Sequence, residues 1–467
     1  MNRRVFLKSL GFGAASLALP SCIANSKQPA EVPQAYKNPN IVFILIDDMG
    51  WTDVGCYGSK FHETPNIDRL AKQGMRFTNA YAACPVCSPT RASIIAGQYP
   101  ARVGITDFIP GHWRPWEKLI VPQNRLQLPL EAITIPEALK EQGYTTAHIG
   151  KWHLGGRDYF PEYQGFDTAI QGGKNQNDKR VNSYTDNAIE FIQANSDKPF
   201  FLHLSHNTVH IPLEAPQELI DKYKNKTKPP TSVNNPTYAA MVEHLDNSIG
   251  RIINKLNELN LAEKTIVIFF SDNGGLYQAY GGYRGKIEPV STNEPLRGEK
   301  GTLYEGGVRE PLIVRWPGVV KPGTTCDAPV TSVDFYPTFL EILGAKGNPS
   351  HVLDGESILP LLRRTGKLKR DAIYWHYPHY HHSRPAGAIR DGNFKLIEFY
   401  EDGRLELYNL KRDIAEKHNL AMKNPTKAAQ LQKKLAAWRK SVDAKMPTPN
   451  PDYDPAKAHE WGRRQRK

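Results

Sequence analysis

Residues 40–48 read NIVFILIDD, an apolar, β-branched run that ends in the adjacent carboxylates Asp47 and Asp48. A continuous run of this kind is typical of a strand that is buried on both faces, as in a parallel sheet covered by helices. Two neighbouring carboxylates at the end of a buried strand repel each other and lose hydration, which is costly unless a cation neutralises them. Taken alone, the pair could also cap a helix. The stretch therefore predicts a buried parallel strand that leads into a cation site.

Three further apolar runs, 145–149, 199–204 and 265–270, also lead directly into polar residues. Helical patterns lie between these runs, and strands that alternate with helices predict an α/β fold. Ligands bind such sheets at the carboxyl ends of the strands. We therefore predict a mostly parallel central sheet with helices on both faces. The residues expected to meet at its carboxyl edge are Asp47, Asp48, Cys87, Lys151, His153, His210, Asp272, Asn273 and Lys300.

Residues 85–97, PVCSPTRASIIAG, predict a helix that begins beside a cysteine, with a proline suited to the first turn and a glycine suited to the stop. The free N–H groups of a helix start favour an anion, and the guanidinium of Arg91 adds a planar set of donors. The stretch could also be an ordinary helix start with a buried cysteine. Cys84 and Cys87 form the C-x-x-C spacing of redox and zinc proteins, but neither of those functions accounts for Arg91.

The pattern C-X-P-X-R at residues 87–91, followed by apolar residues and Gly97, resembles the hallmark of the type I sulfatases of the alkaline phosphatase superfamily. Residues 143–153 match the second motif of that family nearly residue by residue, and the resemblance covers roughly residues 38–420. It implies an alkaline-phosphatase-like fold and a sulfuric ester hydrolase. It also implies that a formylglycine-generating or maturase enzyme oxidises Cys87 to formylglycine.

Several of the residues at the predicted edge offer only hard oxygen ligands, which favour Ca²⁺ or Mg²⁺ over zinc. The resemblance implies one divalent cation there, usually calcium in bacterial members, although residues 272–274 taken alone could be a tight turn. The implied metal ligands are Asp47, Asp48, Cys87 after conversion, Asp272 and Asn273.

The catalytic residues that the resemblance implies are Cys87, Arg91, Lys151, His153, His210 and Lys300. In this interpretation His153 assists the expulsion of sulfate, while His210 and Lys300 act near the leaving oxygen. Lys151, Lys300 and Arg91 hold the sulfate oxygens as charge builds on them. Asp272 is a candidate base for the attacking oxygen.

The N-terminal residues predict export. Residues 1–22 combine a twin-arginine pattern, an apolar run too short to span a membrane and a lipoprotein-like box ending in Cys22, a candidate lipidation site. Residues 23–38 are predicted to be a linker, 39–345 a catalytic domain, and 346–467 a smaller subdomain with a short antiparallel sheet, a helix and a basic tail. We expect a protein of the periplasm or cell envelope, attached to the membrane if Cys22 is lipidated.

Residues 375–384, WHYPHYHHSR, combine histidines with aromatic side chains, which is typical of a metal-binding tract or of a rim that stacks on sugar rings. We favour the sugar rim because the set of oxygen ligands is already complete. The net charge of +12 favours an anionic partner, for which we predict a sulfated carbohydrate and no nucleic acid. The substrate-binding candidates are His112, Tyr283, Arg284, His376, His379 and Arg384.

The predicted function is therefore hydrolysis of sulfate esters on a sulfated polysaccharide or oligosaccharide. Two alternatives stay open at this point. One is a phosphomonoester or phosphonate monoester hydrolase of the same superfamily, since phosphate and sulfate share their shape. The other is a lipoprotein that binds sulfated glycans without catalysis and leaves Cys87 unmodified.

Overall fold

The computed structural model describes residues 38–111, 113–230, 233–278, 289–458 and 460. The strands are β1 Asn40–Ile46, β2 Met75–Tyr81, β3 Leu119–Ile120, β4 Thr145–Gly150, β5 Thr168–Ile170, β6 Phe200–Ser205, β7 Thr265–Ser271, β8 Arg309–Arg315, β9 Thr324–Cys326, β10 Val330–Thr331, β11 Ala372–Tyr377, β12 Ala386–Asp391, β13 Phe394–Phe399, β14 Leu405–Asn409 and β15 Thr448–Pro449. The α-helices are α1 Pro65–Gln73, α2 Cys87–Ala96, α3 Pro100–Val103, α4 Ile135–Lys140, α5 Val181–Ala194, α6 Gln217–Asn225, α7 Pro236–Glu258, α8 Glu305–Val308, α9 Phe335–Leu343, α10 Leu359–Leu362 and α11 Pro425–Ser441.

The large sheet has the strand order β5-β4-β6-β1-β7-β8-β2-β10, and β9 pairs with β2. Strands β5, β4, β6, β1 and β7 are parallel, as expected where helices connect successive strands. Strand β8 is antiparallel to both of its neighbours, while β9 and β10 are parallel to β2. The sheet is therefore mostly parallel, which confirms the predicted fold class.

Side chains of β1 alternate between two layers of helix. Ile44 is fully buried in a core cluster that includes Leu245 of α7. Phe43 points to the opposite face, where its ring centroid lies 4.9 Å from that of Phe335 in α9. Burying such side chains stabilises a fold by roughly 1.5–3 kcal/mol each. Helices cover both faces of the sheet, which explains why β1 is apolar at every position after Asn40.

One segment differs from the sequence-based expectation. Residues 213–236 are rich in Pro, Lys and Asn, a composition typical of a loop, but they contain α6. This helix has one fully buried residue, Tyr223, whose ring lies 5.4 Å from that of Phe61. A short helix with a single anchoring aromatic residue gives little periodic signal in a polar stretch.

The C-terminal strands form an antiparallel sheet in the order β11-β12-β13-β14, as predicted. Helix α11 packs on this sheet through Leu431, which shares a core cluster with Leu396. Trp375 donates a hydrogen bond from Nε1 to the carbonyl oxygen of Ala82, at 2.8 Å, in the segment that leads to α2. The C-terminal sheet is thereby fixed against the start of α2. The domain boundary at residue 345 stays a prediction.

The predicted export segment, with Cys22, and nearly all of the predicted linker lie outside the described residues, which begin at residue 38. Within the part of the chain that the structure describes, no helix has the length and apolar character needed to cross a membrane.

Candidate active site

The loops after four neighbouring parallel strands, β4, β6, β1 and β7, meet at one edge of the large sheet. The backbone N–H of Asp48 donates to Oδ1 of Asp272, at 3.2 Å, although the two residues are 224 positions apart. The backbone N–H of Lys151 donates to the carbonyl oxygen of Ser205 at 2.8 Å. The structure thus brings together side chains that the sequence placed at this edge, and α2 adds Cys87 from the side.

The buried guanidinium of Arg91 connects three of these loops. Its Nε and Nη2 lie 2.8 and 2.7 Å from Oδ2 of Asp272. Its Nη1 donates to the carbonyl oxygen of Lys151 at 2.8 Å and to Oγ of Ser205 at 2.6 Å. The second carboxylate, that of Asp47, lies 3.5 Å from Nη2. A buried cation is stable only with such partners, so Arg91 holds the start of α2 against the strand ends.

Two lysines bind the two adjacent carboxylates. Nζ of Lys151 lies 2.7 Å from Oδ2 of Asp47, and Nζ of Lys300 lies 2.6 Å from Oδ1 of Asp48. His210 adds a third group, with Nε2 3.6 Å from Oδ2 of Asp48. Burial alone would raise the pKa of Asp47, but Lys151 and the other nearby cations outweigh burial and hold that pKa well below its usual range. The pKa of Asp48 is lowered in the same way, chiefly by Lys300. Both carboxylates are therefore ionised.

Cys87 is the first residue of α2 and faces His153. Its Sγ lies 3.3 Å from Nδ1 of the ring, and Nε2 of the ring lies 2.6 Å from the carbonyl oxygen of Ile109. A carbonyl oxygen only accepts, so these partners assign the ring proton to Nε2 and leave Nδ1 as an acceptor. Burial, with a contribution from Lys151, lowers the pKa of His153 well below its ordinary value. The ring is therefore a neutral base directed at residue 87.

The surroundings of Cys87 do not favour a thiolate. Burial raises the pKa of the Cys87 thiol despite the nearby lysines, and burial raises the pKa of Cys84 well above its ordinary value. Both cysteines are free thiols. Redox C-x-x-C motifs contain a thiol of lowered pKa. The raised pKa values of Cys84 and Cys87 therefore argue against the redox interpretation of this pair.

The residues present fit a hard divalent cation. Two groups have the spacing of a metal site, with ligand atoms within 4.8 Å of one another: Asp47, Asp48 and His210, and Asp47, Cys87 and Asp272. Oδ1 of Asn273 is buried and has no hydrogen-bond partner among the described residues, although Nδ2 of this residue donates to Asp48 at 2.8 Å. A buried acceptor without a partner, next to clustered carboxylates, is the environment that a Ca²⁺ or Mg²⁺ ion would complete.

Two polar side chains near this edge were not predicted. Oγ of Ser205 bridges Arg91 and the carbonyl oxygen of Lys151, at 2.6 and 2.8 Å. Its signal was present in the sequence, since Ser205 directly follows the predicted apolar run 199–204; in the structure it is the last residue of β6. Lys179 is partly buried in the turn before α5 and interacts electrostatically with Asp47. The sequence around Lys179 is polar throughout, so nothing in it singled out Lys179 as a residue near the carboxylates.

The predicted substrate-binding residues have different locations. Three of them lie outside the described residues, namely His112, Tyr283 and Arg284. Arg384 lines a cavity of about 750 Å³, with Nη1 3.2 Å from Oε2 of Glu401. His379 is buried, lines a separate cavity of about 270 Å³, and has Nε2 2.8 Å from Oγ1 of Thr106.

His376 requires a correction. Its side chain is buried, with Nδ1 2.8 Å from the hydroxyl of Tyr400 and Nε2 2.9 Å from the carbonyl oxygen of Lys445. Both ring nitrogens are bonded inside the C-terminal subdomain. We therefore reassign His376 from a substrate-binding residue to a core histidine that joins β11 to the segment after α11.

His376 is expected to make the fold sensitive to acid. Burial lowers the pKa of His376 to about 3, whereas the ordinary value is near 6.5. The folded state binds fewer protons between these values, so this group costs about 2 kcal/mol of stability at pH 5. We expect His376→Gln to reduce the difference in free energy of unfolding between pH 7.5 and pH 5 by about that amount. An unchanged difference in a denaturant titration would mean that the histidine titrates normally in the folded chain.

The sequence matches two family models. Residues 39–345 match the Sulfatase family model, and residues 298–442 match the model of N-sulphoglucosamine sulphohydrolase, C-terminal. A sulfatase of Formosa agariphila is 33% identical, with 93% of each chain covered. Arylsulfatase A of Homo sapiens is 32% identical over 82% of this chain and 83% of its own length. N-acetylgalactosamine-6-sulfatase of Rattus norvegicus is 32% identical over 79% of this chain and 73% of its own.

Solved structures are similar to this chain over most of its length. The crystal structure of Ps i-CgsB, also solved with k-i-k-neocarrahexaose, is 29% identical with a TM-score of 0.74, covering 89% of this chain and 95% of the other. A structure described with its substrate D-glucosamine-2-N,6-O-disulfate is 25% identical with a TM-score of 0.68, covering 89% and 99%. The chain belongs to the sulfatase family of the alkaline phosphatase superfamily and is a sulfuric ester hydrolase.

Proposed function

We propose that this sulfatase releases sulfate from a sulfated oligosaccharide or polysaccharide, with Cys87 converted to formylglycine and one divalent cation bound beside it. The observation that carries the proposal is the position of Cys87. A neutral histidine base lies on one side, 3.3 Å away, and the cluster of buried aspartates lies on the other. No ordinary helix start needs this combination of neighbours.

Formylglycine would supply an oxygen nucleophile at residue 87 and a route by which sulfate leaves without attack of water on sulfur. A cation held by Asp47, Asp48, Asp272 and Asn273, Ca²⁺ or alternatively Mg²⁺, would supply positive charge beside that oxygen. Sγ of Cys87 belongs to the same group of ligand atoms as Asp47 and Asp272, so residue 87 and the cation ligands share one pocket.

His153 can accept a proton from a hydroxyl at residue 87, because its Nδ1 is a free acceptor in the assigned tautomer. The bond from Nε2 to Ile109 fixes the orientation of the ring. Lys300 and His210 both contact Asp48. Either side chain can donate a proton to the leaving oxygen or stabilise its negative charge. Protonation of that oxygen lets the alcohol depart as the bond to sulfur breaks.

In this proposal the ammonium groups of Lys151 and Lys300, which bind Asp47 and Asp48, also stabilise the charge that develops on the sulfate oxygens. Arg91 differs from them, because its Nε donates to Asp272 and its Nη1 donates to Ser205 and the Lys151 carbonyl. Its buried Nη2 makes no hydrogen bond among the described residues, although it lies 2.7 Å from Oδ2 of Asp272. We assign Arg91 a positioning role: it fixes the start of α2, and with it residue 87, against the metal-binding carboxylates.

A phosphomonoester or phosphonate monoester hydrolase is less well supported. Phosphate carries more negative charge than sulfate and favours a second metal or additional cations. Among the described residues, the carboxylates of Asp47 and Asp48 already bind Lys151 and Lys300, whose charges take the place that a second ion would need. We expect inhibition by sulfate to exceed inhibition by phosphate at equal concentration.

The relatives favour a carbohydrate substrate. One curated relative is an N-acetylgalactosamine-6-sulfatase, and two of the similar structures contain a neocarrahexaose and a glucosamine disulfate. We propose a sulfated saccharide for this chain as well, and its basic character supports an anionic polymer. Export to the periplasm or cell envelope, with Cys22 as a lipid anchor, is supported by the N-terminal sequence.

The test is a panel of defined sulfated saccharides from galactans and glycosaminoglycans, with free sulfate measured by ion chromatography. The protein is produced together with a formylglycine-generating enzyme, and Cys87→Ala is the matched control. We expect sulfate release from at least one saccharide by the wild type alone. Release of phosphate from phosphorylated saccharides, with no sulfate from any member of the panel, would support the alternative hydrolase.

A further inference from the structure

We propose that Ser88 is a positioning residue for the reaction, because its hydroxyl group holds the backbone that orients His153 toward residue 87. The proposal rests on the proposed function and adds a residue to it that the pattern C-X-P-X-R leaves open. Ser88 itself does not need to contact the sulfate ester, since its effect passes through Ile109 and His153.

Three contacts and one peptide bond form a closed circuit around residue 87. The backbone N–H of Ile109 donates to Oγ of Ser88 at 3.0 Å. The carbonyl oxygen of the same Ile109 accepts from Nε2 of His153 at 2.6 Å. Nδ1 of His153 lies 3.3 Å from Sγ of Cys87, which is the chain neighbour of Ser88. The distance between the base and residue 87 is therefore set by two adjacent residues at the start of α2.

The hydroxyl group of Ser88 is a firm anchor for this circuit. Ser88 is fully buried in the first turn of α2, whereas Ile109 and His153 are only half-buried. Groups carried by a helix are placed more precisely than groups carried by a loop. A typical hydrogen bond changes an equilibrium by a factor of roughly ten. Loss of the hydroxyl group should therefore release Ile109 to a measurable extent.

The loop that carries Ile109 has a second anchor, which acts farther from the base. Oδ1 of Asn124 accepts from the N–H groups of Thr106 and Asp107, at 2.8 and 3.1 Å. Nδ2 of Asn124 donates to the carbonyl oxygen of Asp107 at 3.1 Å. These bonds fix the loop two residues before Ile109, while the bond from Ser88 reaches Ile109 itself. We therefore expect loss of the hydroxyl group to shift Ile109 without unfolding the loop.

The orientation of His153 depends on its surroundings. Its backbone φ is +61°, a left-handed conformation that few residues other than glycine adopt, so tertiary contacts have to maintain it. The bond to Ile109 keeps the ring proton on Nε2 and leaves Nδ1 as an acceptor. If Ile109 moves, the ring loses both its tautomer and its direction. Transfer of the proton from the hydroxyl at residue 87 to Nδ1, as sulfate leaves, should then slow.

The first test needs no turnover and uses the protein with unmodified Cys87. Hydrogen–deuterium exchange measures the protection of the Ile109 N–H. Nitrogen-15 NMR of histidine-labelled protein, assigned with His153→Gln, shows which nitrogen of the His153 ring carries the proton. We expect Ser88→Ala to speed the exchange of the Ile109 N–H roughly tenfold. The same variant should move part of the His153 population from the Nε2–H to the Nδ1–H form.

The second test compares the two products of the converted enzyme in a single turnover. Ser88 stands beside the modified residue, so rates are divided by the converted fraction that mass spectrometry gives for each variant. We expect Ser88→Ala to slow sulfate release roughly tenfold and to leave alcohol release within about twofold of the wild type. The ratio kcat/KM covers the steps up to alcohol release, so it should also stay within about twofold. A general loss of structure would slow both products.

Three variants separate the hydroxyl group from a change of shape. Ser88→Thr and Ser88→Val have nearly the same shape, and only the threonine keeps a hydroxyl group, so this pair is informative even if Ser88→Ala folds poorly. We expect Ser88→Thr to retain sulfate release within about threefold and Ser88→Val to resemble Ser88→Ala. Ser93→Ala is the matched control. Ser93 is also fully buried on α2, but its Oγ contacts the Thr90 carbonyl oxygen and Oγ of Ser332, at 2.7 and 2.6 Å.

Unchanged exchange of the Ile109 N–H in Ser88→Ala would overturn the proposal. Equal rates of sulfate release in Ser88→Thr and Ser88→Val would overturn it as well, and so would equal slowing of alcohol and sulfate release in Ser88→Ala. Failure of the proposed function would look different, since the wild type would then release no sulfate from any saccharide. The exchange and NMR measurements do not depend on that result.

Discussion

Replacing Cys87 by alanine is expected to lower kcat for sulfate release by roughly 10⁴-fold or more. An alanine cannot be oxidised to formylglycine, so residue 87 would lack the oxygen nucleophile. It would also lack the hydroxyl group whose proton the neutral ring of His153 is placed to accept as sulfate leaves. The effect should lie in kcat rather than KM, because Lys151 and Lys300 keep their carboxylate partners in the variant. Steady-state kinetics on a chromogenic aryl sulfate measures both parameters.

Cys84→Ala is the matched control for this variant. Cys84 is also buried and lies three residues earlier, but its Sγ contacts the backbone of Thr106, at 3.9 Å, rather than the catalytic residues. We expect it to retain kcat within about threefold and to lose at most a modest amount of stability. Equal loss of activity in both variants would indicate that the C-x-x-C pair, and not Cys87 alone, is the functional unit.

Removing divalent cations is expected to lower sulfate release by roughly 100-fold or more, with recovery on addition of Ca²⁺ or Mg²⁺. Without the ion, Asp47 and Asp48 keep only side-chain partners, namely Lys151, Lys300, Arg91 and His210. The oxygen at residue 87 would then lack a nearby divalent charge. The effect should also be visible without turnover. A ligand at 100 times its Kd stabilises the folded state by about 2.7 kcal/mol, so Ca²⁺ should raise Tm.

The cation site is located by comparing variants in this thermal assay. Asp48→Ala should abolish the rise in Tm, because Asp48 belongs to the candidate ligand set. Asp221→Asn should keep it, because Asp221 is an exposed carboxylate on α6 that pairs with Lys224. If Asp48→Ala shows the same Ca²⁺-dependent rise as the wild type, the ion binds elsewhere on the molecule.

The central sheet and the cluster at its edge could be predicted because burial and charge leave a strong signal in the sequence. Residues 41–46 are apolar at every position because helices cover both faces of the sheet. Asp47 and Asp48 follow at once, and a pair of carboxylates in that position needs cations. The structure supplies Lys151 and Lys300 at hydrogen-bond distance, which agrees with the predicted need.

Other features depend on tertiary contacts that no local pattern encodes. His376 stands in a stretch rich in histidine and aromatic residues, and only its contacts with Tyr400 and Lys445 show that it belongs to the core. The proposed positioning role of Arg91 rests on contacts of its guanidinium with Asp272, Ser205, the Lys151 carbonyl and Asp47. Strands β3 and β15 pair residues near 119 with residues near 449, and no sequence periodicity reports pairing at that distance.

The most direct measurement relates sulfate release to the state of residue 87. Preparations with different degrees of conversion are obtained by varying the amount of the modifying enzyme during expression. Mass spectrometry of the peptide that contains residue 87 gives the converted fraction, since replacement of the thiol by an aldehyde lowers the peptide mass. We expect specific activity to rise in proportion to that fraction and to vanish at zero conversion. Full activity in a preparation that contains only unmodified Cys87 would contradict the proposed chemistry.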